Sequence, residues 1–118
     1  MKVSTIAELL DAKVVCGEDK LDTDVKSACG CDMMSDVLAF VKDQAVLLTG
    51  LCNLQVIRTA EMMDMRCVVF VRGKKPSEDI IEMAEECGIV VLTTDMRMYL
   101  ACGLLYANGL QSGHTALK

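Results

Sequence analysis

Three short apolar runs decide the fold of this sequence: Ala45-Val46-Leu47-Leu48-Thr49, Cys67-Val68-Val69-Phe70-Val71 and Ile89-Val90-Val91-Leu92. They begin at residues 45, 67 and 89, so the interval between starts is 22 residues in both cases. Unbroken apolar runs of this length are typical of parallel strands that are buried on both faces of a sheet. Helical patterns lie between the runs, and the sequence therefore predicts successive strand–loop–helix units.

Residues with known roles at helix ends mark the helices. Asn53 is the predicted N-cap of a helix over 54–63, and Ser77 that of a helix ending at Gly88. The other predicted elements are helices at 5–10, 34–41 and 96–107 and strands at 12–16 and 25–31, with Thr5 and Glu8 forming a capping box at the first helix. These elements predict a three-layer α/β fold with a mainly parallel sheet of about five strands and helices on both faces.

Length and composition bound the class of protein. At 118 residues we expect a single domain over 1–118, with 113–118 as a loose tail. Hydrophobic residues make up 53% and charged residues 25%, which excludes a disordered chain. No apolar stretch approaches the roughly 18 residues that a spanning helix needs, and no signal-peptide pattern opens the chain. We therefore expect a cytoplasmic protein with no membrane partner.

The charge balance argues against two classes of function. The net charge is −5, and two tyrosines and two phenylalanines are the only aromatic residues. A nucleic-acid binder needs a basic face and often an aromatic stacking surface, so no nucleic-acid partner is expected. The only histidine, His114, lies in the predicted tail, which argues against histidine-based catalysis. We expect a protein with no catalytic residues that is not an enzyme.

The seven cysteines are an odd number without the C-x-x-C pairs common in metal sites. In a reducing compartment, cysteine behaves as a small buried hydrophobe, so we interpret these residues as core-filling thiols. A thiol or iron–sulfur site that uses Cys29, Cys31 or Cys52 is the alternative. The preferred interpretation predicts no metal and no cofactor.

The loops after the predicted parallel strands offer an anion site. Such loops share one edge of the sheet, and each leads into a helix N-terminus with free backbone amides. The predicted ligand-binding residues in these loops are Thr49, Gly50, Asn53, Arg72, Gly73, Lys74, Lys75, Thr93 and Thr94. A solvated turn is the alternative for the basic loop, and Asp95 either binds a ligand hydroxyl or caps the last helix. No Walker or G-x-G-x-x-G pattern is present, which argues against a nucleotide hydrolase.

The helix over 96–107 is apolar on nearly every side. It therefore needs two buried sides, and we interpret it as a homodimer interface, extended by Leu51, Leu54, Met62, Met63 and Met65. Burial within the monomer, under the N-terminal segment, is the alternative.

The order of these segments resembles a known family. Residues 45–50, 58–60, 68–77, 80–84 and 88–94, together with Tyr99, resemble the DRTGG domain, and the chain also looks like the N-terminal domain of HPr kinase/phosphorylase. The residues that give the family its name are only partly present. Leu51-Cys52 occupies the two positions after Gly50 where the family has an Asp-Arg pair, and Val71-Arg72-Gly73 occupies the positions of the family's Thr-Gly-Gly.

The resemblance implies a regulatory module with no reaction of its own, since relatives occur alone or beside CBS or phosphotransacetylase domains. Two functions remain open. One is a non-enzymatic module that binds a small phosphate- or nucleotide-like anion. The other is a protein–protein interaction module whose ligand crevice is vestigial.

Overall fold

The computed structural model describes residues 1–40 and 45–112, which form five strands and five helices. The strands are β1 (Lys13–Cys16), β2 (Ser27–Gly30), β3 (Ala45–Thr49), β4 (Cys67–Phe70) and β5 (Val90–Thr93). The helices are α1 (Val3–Leu9), α2 (Met34–Phe40), α3 (Leu54–Met62), α4 (Glu78–Cys87) and α5 (Met98–Ala107), with one 3-10 turn at Glu18–Lys20. The predicted helix end at Val41 and the predicted tail 113–118 lie outside the described residues.

The five strands form one sheet in the order β1-β5-β4-β3-β2. The strands β2, β3, β4 and β5 lie side by side in chain order and are parallel to one another. The strand β1 pairs antiparallel with β5 and forms the edge of the sheet opposite β2. This confirms the predicted mainly parallel sheet. The antiparallel register places Lys13 opposite Thr93, so β1 begins where β5 ends.

Helices cover both faces of the sheet, which confirms the three layers. The helices α2, α3 and α4 pack on one face, against side chains such as Leu47 and Val68. The helices α1 and α5 pack on the other, against side chains such as Val46 and Val69. Successive residues of a strand point to opposite faces, and every residue of β3 and β4 is buried.

The chain changes faces between its last two parallel strands. After β4 it enters α4 on one face, and after β5 it enters α5 on the other. Loops that leave neighbouring strands toward opposite faces open a crevice at the carboxyl edge of the sheet, which is where ligands bind in open α/β sheets. The predicted basic loop, which follows β4, lies at this position of the sheet.

Two helix ends match the predictions closely. Asn53 caps α3, because its Oδ1 accepts a hydrogen bond from the Val56 amide at 3.3 Å. Gly88 ends α4 in the left-handed conformation, with a φ of +71° that glycine adopts without strain. Ser77 occupies the N-cap position of α4, although its side chain makes no capping hydrogen bond.

The predicted capping box at Thr5 is wrong. The helix α1 begins at Val3, so Thr5 lies within it, and the N-cap position is held by Lys2 without a side-chain bond. The amide of Val3 donates to Thr23 O and that of Ser4 donates to Leu21 O, both at 3.0 Å. Backbone carbonyls from a distant segment therefore satisfy the first turn in place of a side-chain cap.

The start predicted for the last helix is also wrong. The helix α5 begins at Met98 and Arg97 occupies its N-cap position, so Asp95 does not cap it. The reason is that Met96 is tied to the neighbouring loop: its carbonyl accepts a hydrogen bond from the Arg72 amide at 2.8 Å. This bond holds residue 96 in the loop and delays the helix.

The cysteines fill space between these layers. All seven are free thiols, and Cys16 and Cys67 are buried. Burial raises the pKa of the Cys67 thiol, and it raises that of Cys29 to about 11 with a smaller contribution from Cys31 and Cys102. Within residues 1–40 and 45–112, no three histidine, cysteine or acidic side chains form a group that would hold a metal. Over the same residues, no helix is long and apolar enough to cross a membrane.

The buried central strand gives a stability prediction. Replacing Leu47, which is fully buried, by alanine should lower the free energy of unfolding by about 2–5 kcal/mol, because it removes apolar contacts and leaves a cavity. Replacing Met62, whose side chain is 71% exposed, by alanine should cost under about 0.5 kcal/mol. Urea denaturation of both variants tests this, and equal losses would contradict the assigned burial.

The raised pKa of Cys29 gives a pH prediction. The unfolded thiol ionises near pH 9.0 and the folded one near 11, so its contribution to stability is complete below pH 9 and is lost as the pH rises to 11. The unfolding free energy of the parent should therefore fall more steeply over this window than that of Cys29→Ala. Urea denaturation across the window measures both slopes, and parallel curves would show that Cys29 does not contribute.

Candidate functional site

The nine predicted site residues lie at or just after the carboxyl ends of three neighbouring strands. They are Thr49, which ends β3, with Gly50 and Asn53 after it; Arg72, Gly73, Lys74 and Lys75 after β4; and Thr93, which ends β5, with Thr94 after it. Backbone hydrogen bonds join the loops. The Val71 amide donates to Thr49 O at 3.0 Å, and the Gly73 amide donates to Thr94 O at 2.9 Å. The structure therefore brings the three loops together at one edge.

The threonine hydroxyls shape these loops from within. The Oγ1 atoms of Thr49 and Thr94 accept hydrogen bonds from the amides two residues later, at 3.1 and 3.2 Å. Thr94 Oγ1 also donates to Leu10 O at 2.7 Å, and both side chains are buried. Thr93 is half-buried at the end of β5. The hydroxyls of Thr49 and Thr94 therefore hold the loops after β3 and β5 in their conformations.

Three backbone amides within these loops, those of Gly50, Arg72 and Gly73, already have hydrogen-bond partners in the protein. Gly50 donates to the carboxylate of Asp32 at 2.7 Å, and Arg72 and Gly73 donate to carbonyls of the loop after β5. The capacity of this edge for an anion therefore rests mainly on the exposed basic side chains.

Arg72 is the distinctive residue of the edge. It adopts a φ of +62°, a left-handed conformation that is uncommon for residues other than glycine and costs free energy. Its guanidinium lies so close to Gly50 that a Cβ atom there would overlap Nη2. A side chain at position 50 would therefore displace the Arg72 guanidinium from its present place. Among the described residues, Arg72 has no ion-pair partner within 4 Å.

The two lysines extend the basic surface. Lys74 and Lys75 are exposed, as is Arg72. The charge of Lys74 acts on the neighbouring loop, since it lowers the pKa of the Cys52 thiol, although burial raises that pKa more strongly. Cations from one loop thus act on the residues that follow β3.

Three further charged residues meet at this edge. Asp32 follows β2 and bonds Thr49 and Gly50, Lys13 lies opposite Thr93, and the Oδ1 atom of Asp95 lies near Gly73. The sequence interpretation missed Asp32 and Lys13. Asp32 follows a strand whose sequence pattern is weak, and Lys13 reaches this edge only because β1 pairs antiparallel with β5. No nearby sequence motif therefore marks either residue as part of the site.

A second surface lies along α5, away from the basic loops. Ala101 and Leu105 face the core, while Tyr99, Leu100 and Tyr106 are 91%, 52% and 63% exposed. An open apolar groove of about 490 Å³ runs between this helix and the edge strand β2, and its floor includes Ala28, Gly30 and Gly103. The described residues do not cover this side, so the alternative of a helix sandwiched inside the monomer is wrong for residues 1–40 and 45–112.

The expected extension of that surface is also wrong. Leu51, Leu54, Met63 and Met65 pack on the α2–α4 face of the sheet, as the position of α3 requires. α5 packs on the opposite face. These residues and α5 therefore cannot belong to one continuous contact surface.

The comparisons with known proteins agree with this architecture. The crystal structure of the CBS and DRTGG domains of the regulatory region of Clostridium perfringens pyrophosphatase, complexed with the activator diadenosine tetraphosphate, superposes with a TM-score of 0.72. The two sequences are 20% identical, and the match covers 88% of this chain and 45% of that one. This chain thus spans less than half the length of that structure. No curated protein matched the sequence.

The profile of the DRTGG domain matches residues 5–105. That range includes all five strands and every residue of the predicted site. The chain belongs to the DRTGG domain family.

Proposed function

We propose that this DRTGG domain is a non-enzymatic regulatory module that binds a small phosphate-bearing ligand at the carboxyl edge of its sheet. The observation that carries the proposal is Arg72, an exposed guanidinium without an ion pair among the described residues, held in a left-handed conformation against Gly50. Residues in strained backbone conformations cluster at functional sites, and Asp11 and Asp64 also adopt a positive φ in this chain. Lys74 and Lys75 add two cations beside it.

The charge distribution supports an anionic ligand. The chain carries a net charge of −5, yet three of its 12 basic residues lie within the four positions 72–75. Charge-assisted hydrogen bonds from such side chains to phosphate are about twice as strong as neutral ones. The favourable field for an anion is therefore local to this edge.

The structural neighbour supports the same class of ligand. The Clostridium perfringens region is a regulatory one and was crystallised with a nucleotide activator, diadenosine tetraphosphate. We extend to this chain only the class, a phosphate-bearing regulator, because the match covers 45% of that protein. The likeness to the N-terminal domain of HPr kinase/phosphorylase suggests the same regulatory role and assigns no reaction to this chain. We also propose that residues 1–118 form one cytoplasmic domain.

A second candidate function is association through α5, with a second copy of this chain as the partner. Tyrosine side chains bury about 150–250 Å² each, so Tyr99 and Tyr106 would supply a large part of the roughly 800 Å² that each partner of a stable dimer buries. Residues 98–112 include no charged side chain, so two acidic copies would meet here without direct repulsion. A two-fold axis would bury both patches in one contact.

The phosphate site is tested by removing its charge. Replacing Arg72 and Lys74 by alanine should abolish the binding of diadenosine tetraphosphate without unfolding the protein, because both side chains are exposed. Ligand at 100 times its Kd should stabilise the parent by about 2.7 kcal/mol, which a thermal shift detects. Binding should weaken between about 50 and 500 mM salt, since charges on an exposed loop are screened.

The matched control removes two cations from the opposite edge of the sheet. Lys26 and Arg66 precede β2 and β4, so Lys26→Ala with Arg66→Ala lowers the net charge equally but leaves the basic loop intact. This control should bind as the parent does. Equal weakening in both double variants would mean that the ligand responds to overall charge, and no shift with phosphate, AMP or diadenosine tetraphosphate would favour the interaction module.

The association through α5 is tested by placing charge in its exposed face. Light scattering at micromolar concentration should report twice the 12.8 kDa chain mass for the parent and the monomer mass for Leu100→Asp. Met62→Asp introduces the same charge on the opposite face and should remain dimeric. A parent protein that is monomeric at all concentrations, or a dimer that survives Leu100→Asp, would contradict this interface.

A further inference from the structure

We infer that Asp32 and Arg72, both held against Gly50, select a phosphate ester that carries free hydroxyls, such as a nucleotide or sugar phosphate, over a bare oxyanion. This inference rests on the proposed phosphate site and names its ligand class. In it, Arg72 holds the phosphate and Asp32 accepts a hydrogen bond from a hydroxyl of the same ligand.

Asp32 is anchored through one oxygen. Its Oδ1 accepts hydrogen bonds from the Gly50 amide at 2.7 Å and from Thr49 Oγ1 at 3.1 Å. Thr49 is the last residue of β3, Gly50 follows it, and both are buried, so the end of the strand fixes the position of the carboxylate. The side chain is nevertheless exposed, and its Oδ2 has no hydrogen-bond partner among residues 1–40 and 45–112.

An anchored carboxylate with one free oxygen suits a hydroxyl ligand. Ionised aspartate accepts hydrogen bonds and donates none, so Oδ2 can bind a donor such as a sugar hydroxyl. Acidic side chains at the carboxyl edge of parallel sheets bind ribose hydroxyls in other α/β proteins in this way. Little conformational entropy would be lost on binding, because two hydrogen bonds already hold the side chain.

The cation lies beside this acceptor but does not pair with it. Arg72 contacts Gly50, whose amide binds Asp32, yet no ion pair joins Asp32 and Arg72 within 4 Å. A carboxylate and a guanidinium thus flank one glycine, and each retains capacity for a ligand. A bare oxyanion at Arg72 would gain one attraction and meet the repulsion of Asp32, whereas a hydroxylated phosphate ester would satisfy both groups.

The first test compares two ligands on the unaltered protein. AMP and its 2′,3′-dideoxy analogue share the base and the phosphate and differ only in the ribose hydroxyls. AMP should bind about tenfold or more tightly than the analogue, because hydrogen bonds to charged groups are the stronger class. Isothermal titration calorimetry measures both, and equal affinities would overturn the inference while leaving the proposed phosphate site intact.

The second test is Asp32→Asn, which keeps Oδ1 for the Gly50 and Thr49 donors but replaces Oδ2 with a donor. Affinity for AMP should fall about tenfold or more, whereas affinity for sulfate, which lacks a hydrogen to donate, should rise because a repulsive charge is lost. Opposite changes for the two ligands are the signature of selection. Changes of the same sign would overturn the inference.

The matched control is Asp36→Asn, which removes the same charge four residues away in α2. It should leave the ratio of AMP to sulfate affinity unchanged. If neither AMP nor sulfate binds the parent protein, the proposed phosphate site fails and this inference fails with it. If sulfate, AMP and the dideoxy analogue all bind with equal affinity, the phosphate site stands and only this inference fails.

Discussion

The burial of β3 and β4 on both faces is the constraint on which the rest of this structure depends. Strands without an exposed side chain require cover above and below, so the connections of a 118-residue chain must supply two layers of helix. Three consecutive connections cover one face, and within residues 1–40 and 45–112 the helices α1 and α5 cover the other. The change of face after β5 therefore follows from burial, and the loops after β4 and β5 at the candidate site lead to helices on opposite faces of the sheet.

The same constraint explains the surface of α5. This helix must cover the sheet with Ala101 and Leu105 on one side, yet nothing among the described residues covers Tyr99, Leu100 and Tyr106 on the other. A small domain buries a smaller fraction of its surface than a large one, so an apolar helix in its outer layer readily retains an exposed apolar side. The sequence made the apolarity of this helix visible, and only the fold showed which of its sides remains open.

The fold was largely predictable because its strongest signals are local. β3 has its predicted bounds, since full burial requires an unbroken apolar run. Predictions failed where a distant backbone group replaced a local signal, as at Val3, whose amide bonds Thr23 O. The candidate site divides in the same way: Arg72 and Gly50 were recognisable from loop composition, whereas Asp32 and Lys13 are brought to the edge by sheet register and long-range hydrogen bonds.

The degenerate signature acquires a physical meaning from this geometry. The family resemblance places an Asp-Arg pair directly after the glycine of the first loop, and this chain has Leu51-Cys52 there. A carboxylate and a guanidinium nevertheless reach that glycine, because Asp32 arrives from the loop after β2 and Arg72 from the loop after β4. Loss of the two signature residues therefore does not remove either charge from the surroundings of Gly50. Because the groups come from two separate loops, their spacing is set by the parallel register of β2, β3 and β4.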